Sequence, residues 1–350
     1  GFGLMRLPKR GDNIDVEQVK VMVDRFLADG FTYFDTAWAY PGSEDAIRQA
    51  LVERHPREAF QLATKNAAWI KCKSREEAIG QFETSLRQTG AGYFDFYLLH
   101  NCGDDRTQAF DKFGIWDYAL EMKEKGLLKH VGFSFHDKAD VLDELLTKHP
   151  EMEFVQLQIN YADWEDDNVQ SRRCYEVARK YNKPVIIMEP VRGGSLAIMP
   201  PQVQEVFKKA EPEMSVASWA IRYAASLEGV LTVLSGMSTE EQLNDNVSYM
   251  EDFKPLDEAE RATVQQVVDI LNSLPTIPCT ACKYCVDGCP QKINIPGVFK
   301  AMNDLTLYNN KANAQRDYNN ATKEGGKAGD CVQCGACEAH CPQKIQIIET

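Results

Sequence analysis

Residues 279–345 contain the same cysteine run twice. Cys279 to Ile293 reads CTACKYCVDGCPQKI, and Cys331 to Ile345 reads CVQCGACEAHCPQKI. Each run is C-x2-C-x2-C-x3-C-P, the spacing with which a chain wraps three thiolates around one cubane and delivers the fourth to its neighbour. By that rule Cys279, Cys282, Cys285 and Cys341 hold one [4Fe-4S] cluster, and Cys331, Cys334, Cys337 and Cys289 hold a second. Eight of the eleven cysteines are used in this way, with Cys72, Cys102 and Cys174 lying elsewhere. A pair of structural zinc sites is the alternative. Zinc also takes C-x2-C pairs, but rarely a third cysteine after another two-residue gap or a proline after the fourth. A disulfide scaffold does not suit a chain of 350 residues whose first residues lack secretory order.

Ahead of this tail, helical and β-rich patterns alternate with short connections. Helical patterns run near 15–29, 43–54, 75–89, 111–125, 137–147, 169–181, 214–226 and 239–249. Between them lie β-rich runs at Phe31–Asp35, Phe60–Thr64, Phe94–Leu99, His130–Ser134, Phe154–Gln158, Val185–Met188 and Val230–Leu234. With a first strand from Gly1–Met5 the count is eight and eight, which fits an α/β fold of the (β/α)8 TIM barrel type better than an open doubly wound sheet. A further helix near Leu256–Leu271 precedes Ser273-Leu274-Pro275-Thr276-Ile277-Pro278, whose prolines block helix continuation. The expected domains are a barrel over 1–272 and a small, mainly helical dicluster domain over 273–350. In the latter, Ile295, Val298, Phe299, Met302, Leu305 and Tyr308 recur at helical spacing, so a helix is expected between the cysteine runs.

Net charge is -13, with eight basic and seven acidic residues in Cys279–Thr350, so the acidity lies ahead of the tail. That balance argues against nucleic acid or an anionic membrane surface as a partner. The apolar runs are too short to span a membrane and no signal-peptide order is present, so a cytoplasmic protein is expected.

The reacting groups of a barrel sit at the C-terminal ends of its strands. Asp35 and Tyr40 in FDTAWAY, Lys65 in LATKN and His100 in FYLLHN meet that description. Singly they read as a helix cap, a packed ring and a satisfied histidine; their joint placement argues for chemistry. These segments resemble the aldo/keto reductase superfamily, whose Asp, Tyr, Lys and His occur in this order, and the resemblance spans about residues 1 to 250. It implies hydride exchange between a nicotinamide and a small carbonyl or alcohol. Hydride reaching a carbonyl carbon leaves an alkoxide that needs a proton. Tyr40 would supply it, Lys65 would favour the phenolate, Asp35 would keep Lys65 charged, and His100 would hold the substrate oxygen.

No G-x-G-x-x-G follows a strand, so the nicotinamide is held without a Rossmann fingerprint. By the same resemblance, Ser134 in VGFSFH and Gln158 in LQINY match the residues for the nicotinamide amide. Met188, Pro190, Arg192 and Gly193 in MEPVRGG match the loop after the seventh strand, where Arg192 would pair with the pyrophosphate. Gly236, Ser238 and Gln242 fall in the nucleotide-phosphate segment, and Asp245 and Asn246 match the adenine-contacting pair. The sequence departs from the family at three points. Phe135 stands where an asparagine is usual, Met188 where an aromatic often stacks, and Gly236 with Gln242 where basic residues commonly hold the 2′-phosphate of NADP. The cofactor is therefore NADP or NAD. Trp38, Trp69 and Trp116 are candidates to line a substrate pocket, against the plainer reading of core or loop anchors.

The tail resembles bacterial two-cluster ferredoxins, and its long spacer is similar to the α-helical ferredoxin type of larger oxidoreductases. This implies electron transfer, with a structural role as the alternative. The expected function is an oxidoreductase whose barrel handles hydride and whose tail serves a redox partner protein, because hydride and single-electron carriers need a link. The alternative from another class is a non-catalytic nucleotide-binding redox sensor or electron-transfer module that regulates a partner.

Overall fold

The computed structural model describes residues 1–103 and 105–350. Eight strands make one parallel sheet: β1 (Phe2–Gly3), β2 (Tyr33–Asp35), β3 (Gln61–Asn66), β4 (Phe94–Cys102), β5 (Leu128–Phe135), β6 (Phe154–Gln158), β7 (Val185–Met188) and β8 (Val230–Val233). Their order in the sheet is their order in the chain. A parallel bridge between Phe2 and Ser235 follows β8, with the Gly3 N–H donating to the Ser235 carbonyl at 2.8 Å and the Ser235 N–H donating to the Gly1 carbonyl at 3.0 Å. Those bonds return the last strand to the first, and the expected (β/α)8 barrel is present.

Two apolar layers hold the barrel. Outside the sheet, helices bury one stripe each; helix Val16–Ala28, capped by Asp15 accepting from the Gln18 N–H, buries Val19, Met22, Val23 and Phe26. Each such side chain contributes about 1.5–3 kcal/mol of transfer free energy. Tyr33, Ala63, Leu98, Phe154, Ile186 and Leu234 form a second cluster with Phe96 packed on it, and their one-per-strand origin marks them as the barrel interior. Gly132 belongs to that layer by position. A Cβ there would collide with the Phe154 carbonyl and ring, so only glycine lets β5 lie against β6.

The helices depart locally from the sequence pattern. The segment near 43–54 begins as an α-helix at Ser43–Ile47 and widens into a π-helix over Arg48–Val52. The segment near 111–125 is two helices, Arg106–Phe113 and Ile115–Glu124, divided by Gly114 at φ 62. Further elements go beyond the pattern: a hairpin of Lys9–Arg10 with Asn13–Ile14, helix Pro201–Ala210, and helix Lys311–Ala321.

By compactness the chain divides into a first unit, Gly1–Pro190 with Ser218–Asp257, and a second, Val191–Ala217 with Glu258–Thr350. The second includes the excursion that follows β7 as well as the tail, so compactness cuts the chain elsewhere than the sequence boundary at 273. Within the second unit helix Pro201–Ala210 packs on helix Glu258–Ser273, burying Val203, Phe207, Val264, Val267 and Leu271. The expected spacer helix runs from Ile295 to Tyr308 and packs on Lys311–Ala321. Asn309 in the left-handed region ends the first of these, and Asn310 caps the second by accepting from the Asn313 N–H. Asn303 clamps the linker, its amide bonding both the N–H and the carbonyl of Ile277. Among the described residues no helix is long and apolar enough to cross a membrane.

Candidate functional site

Side chains two apart on a strand share a face. Tyr33, Ala63, Leu98, Gly132, Phe154 and Ile186 point into the barrel, so Asp35, Lys65, His100, Ser134, Gln158 and Met188, two or four residues further on, extend the same interior face toward the strand ends. Apart from His100, beside which the register slips, the polar set is placed by strand period, with the apolar layer as its floor.

Lys65 is 1% exposed, and its ammonium donates to Asp35 Oδ1 at 2.5 Å and to the Thr36 carbonyl at 2.7 Å. Burial opposes the charge on Lys65, but Asp35 and Tyr40 together hold it above its ordinary value. Burial pushes the Asp35 carboxyl upward while Lys65 pulls it back. Tyr40 stands in the turn after β2, with the Lys65 ammonium 5.1 Å from its ring centre and the His100 ring 5.7 Å away at 82°. Burial raises the phenol from its ordinary value against the opposing pull of Lys65. His100 is driven well below the ordinary imidazole value, first by burial and then by Lys65, so its ring is neutral. Its Nδ1 is sealed from solvent and has no hydrogen-bond partner among the described residues.

The position of His100 depends on an irregularity that period alone does not give. The register between β4 and β5 slips between Leu99 and Cys102, and Asn101 takes φ 60. The Asn101 N–H donates to Ser134 Oγ at 2.7 Å in place of a ladder bond. A bulge of this kind re-aims the side chain beside it. The one sequence hint is the asparagine, a residue that tolerates the left-handed region.

The other predicted positions are distributed as follows. Ser134 is buried, and the Gln158 amide nitrogen donates to Asp163 Oδ2 at 2.9 Å. Asn246 donates to Ser235 Oγ at 2.7 Å and accepts from the Tyr249 hydroxyl at 2.5 Å. Ser238 donates through its hydroxyl to the Arg6 carbonyl at 2.7 Å and through its N–H to Gln242 at 2.7 Å. Gly236 is exposed beside the Arg6 side chain, and Asp245 is half-buried on helix Glu240–Met250. Met188 and Pro190 close β7 in the first unit, whereas Arg192 and Gly193 belong to the second. There the Arg192 guanidinium pairs with Asp304 at 2.9 Å, and the Gly193 carbonyl accepts from Asn313 at 2.9 Å. Of the tryptophans, Trp69 donates to the His100 carbonyl at 2.8 Å, and buried Trp116 stacks on His149 and bonds Asp111. Both act as anchors, while Trp38 is half-buried after β2. His136 escaped the sequence pattern: it follows β5, and burial with nearby Arg106 lowers its imidazole to about 4.

The two cysteine runs repeat in backbone as well as in sequence. Ala281, Lys283 and Lys292 take positive φ in the first, and Gln333, Gly335 and Lys344 take it at the equivalent places in the second. Short helices Tyr284–Asp287 and Ala336–Ala339 follow in register. Cys279, Cys282, Cys285 and Cys341 line one cavity with Ile295, Pro296 and Phe299. Cys285 and Cys337 belong to the unit's apolar core, and Cys279, Cys289 and Cys341 pack against it. Burial pushes the Cys285 thiol up to about 11, so a bare thiolate is disfavoured there without a compensating cation. Among the described residues no three His, Cys, Asp or Glu converge closely enough for a single metal ion.

The first unit is thus a closed parallel barrel with a buried Lys–Asp pair, a phenol and a neutral imidazole toward its strand ends, and the second carries duplicated cysteine loops. Residues 1–269 match the aldo/keto reductase family, and the chain belongs to that family. Residues 278–345 match the 4Fe-4S dicluster domain. An aldo-keto reductase of Bombyx mori is 26% identical over 137 residues, 36% of this chain and 42% of that protein, so the alignment spans less than half of the relative. An aldo-keto reductase from Bacillus halodurans in its holo form superposes with a TM-score of 0.58 at 22% identity, over 76% of this chain and 90% of its own. The Klebsiella pneumoniae aldo/keto reductase in complex with NADP and acetate gives 0.60 at 20% identity, over 77% and 90%. At these identities the superpositions establish the fold.

Proposed function

We propose that this protein is a nicotinamide-dependent oxidoreductase that interconverts a small carbonyl compound and its alcohol, and that its tail carries two [4Fe-4S] clusters. The observation that carries the first part is the buried Lys65–Asp35 pair beside Tyr40 and neutral His100. A bound nicotinamide nucleotide supplies or accepts the hydride. The chain's own residues manage the proton. Tyr40 rests protonated and gives its hydroxyl proton to the forming alkoxide. Lys65, kept charged by Asp35, lowers the cost of the phenolate left behind. A neutral imidazole can donate one hydrogen bond to the substrate oxygen without competing for that proton.

Hydrogen-bond accounting supports the nicotinamide. Ser134 Oγ accepts from Asn101, which leaves its O–H to donate, and the Gln158 amide nitrogen is engaged with Asp163, which leaves its carbonyl oxygen to accept. A donor on β5 and an acceptor on the neighbouring β6, two residues beyond its register partner and on the same face, complement a carboxamide. Neither Gly236 nor Gln242 offers a cation for a 2′-phosphate, and Arg6 beside Gly236 is the basic side chain in reach of that place. NAD is thus as well served as NADP, and titration with both separates them.

The cluster ligands are Cys279, Cys282, Cys285 and Cys341 for one cluster and Cys331, Cys334, Cys337 and Cys289 for the other. The shared cavity of the first four, together with the C-x2-C-x2-C-x3-C-P spacing, favours a cubane over zinc. The clusters supply single electrons or hold the loops together. Protein purified without oxygen should contain about eight iron and eight sulfide per chain and should oxidise NADH or NADPH with small aldehydes, ketones or ketosugars. Colourless, zinc-loaded protein ends the cluster assignment, and nucleotide binding without turnover on any carbonyl class ends the enzymatic one in favour of a sensor.

A further inference from the structure

Helix Ile295–Tyr308 serves two places at once. At its start, Ile295, Pro296 and Phe299 line the cavity of Cys279, Cys282, Cys285 and Cys341. At its end, buried Asp304 accepts from the Arg192 guanidinium at 2.9 Å, and Tyr308 lies beneath that guanidinium at 4.6 Å. The second Asp304 oxygen accepts from Lys300 at 2.6 Å. The next helix adds Asn313, which donates to the Gly193 carbonyl at 2.9 Å and to Ser195 Oγ at 3.0 Å.

The segment so held has an unusual backbone. Arg192, Gly193 and Gly194 take φ of 47, 63 and 94 in succession. For a residue with a side chain that region is sparsely populated, and it persists only where surrounding contacts impose it. Glu189, three residues upstream, also has positive φ, at 54. Its carbonyl accepts from Asn160 at 3.2 Å; Asn160 in turn bonds Asp163, the same carboxylate that holds Gln158. Hydrogen bonds therefore run from Gln158 to Glu189, the chain itself runs from Glu189 to Arg192, and Asp304 continues the connection into the helix that lines the cluster cavity.

We propose that Arg192 is a positioning residue rather than a phosphate ligand, and that the Arg192–Asp304 pair couples the first cluster site to the exit of β7 and through it to nucleotide affinity. The nucleotide part rests on the function proposed above. No electron passes along this connection; it is a mechanical linkage in which a loaded cluster site holds the segment and favours nucleotide binding, and by thermodynamic reciprocity nucleotide binding favours cluster loading by the same factor.

The test uses full-length, cluster-loaded protein. Asp304→Asn, Arg192→Ala, their double variant and the charge-exchanged pair Arg192→Asp with Asp304→Arg are compared. Amide exchange of residues 191–197 is followed by mass spectrometry, and NADH and NADPH are titrated by tryptophan fluorescence. Each single variant should speed exchange in 191–197 and weaken nucleotide binding within the roughly 5- to 150-fold range of typical couplings. The double variant should be no weaker than the singles, the exchanged pair should recover at least part of the loss, and iron and sulfide should be unchanged. Cys282→Ser should weaken binding in the native background and add nothing to Asp304→Asn. Arg192→Ala weakening affinity while Asp304→Asn leaves or tightens it would show a direct phosphate ligand and overturn the proposal, as would unchanged exchange in Asp304→Asn. If the unaltered protein binds neither nucleotide, the nicotinamide reading and the nucleotide arm fall together, while the exchange data still decide whether Asp304 holds the segment.

Discussion

The barrel and the cysteine unit build their sites by opposite means. In the barrel, Asp35, Lys65 and His100 are fixed by a closed sheet and by two apolar layers that exist whether or not anything is bound. In the cysteine unit, two of the proposed ligands are themselves part of a small core, Cys285 and Cys337 alongside Ile293, Ile295, Val298, Phe299 and Ile345. The first site is a product of the fold, and the second is a contributor to it. On the proposed cluster assignment, a domain with so little apolar material of its own draws stability from metal binding.

The sharpest way to break that contrast is to strip the metal. Anaerobic chelation should abolish amide protection across 279–345 while the barrel strands keep theirs; equal loss in both regions would mean that the fold does not divide in this way. Next in size is Tyr40→Phe, which should lower kcat by about 10²–10⁴-fold with nucleotide affinity preserved, as expected for loss of a general acid. Steady-state kinetics on a responsive carbonyl reads this directly, and an unaffected kcat removes Tyr40 from the proton path. Lys65→Met leaves the Asp35 carboxylate buried without its partner and should cost about 3–5 kcal/mol in urea denaturation of the barrel. Adding Asp35→Asn should return much of that loss, because the stranded charge is then gone. The last expectation concerns pH. His100 and His136 titrate below the ordinary imidazole value, His136 at about 4, so below about pH 6.5 the unfolded chain binds more protons than the folded one. Barrel stability should therefore fall between pH 7 and pH 5, by about 2 kcal/mol from His136 with His100 adding to the loss, and a flat denaturation midpoint over that window would contradict the neutral histidines.

Much of this was legible in the sequence because it rests on short-range regularities. Position at the strand ends singled out Asp35, Lys65 and His100, and fixed spacing defined the eight cysteines as a duplicated set. The bulge at His100–Asn101 was not legible, since a register slip is a relation between two strands and appears in neither alone. Trp69 and Trp116 illustrate the same limit: composition marks them as large and amphipathic, but only their partners, the His100 carbonyl in one case and Asp111 with His149 in the other, make them anchors.

Arg192 draws the line most clearly. Its neighbourhood in the chain, a glycine pair after the seventh strand, describes a flexible cation near a turn. What that cation meets is set by Asp304, more than a hundred residues later, and no local pattern encodes such a pairing. Sequence alone marked which residues are candidates for chemistry and at which strand end or loop they stand, because residue pattern and ligand spacing are local properties. Tertiary structure decided which charges are paired, which phenol and imidazole are partly withdrawn from water, and which loop is held by which helix, because burial and long-range contact arise only when distant segments pack together.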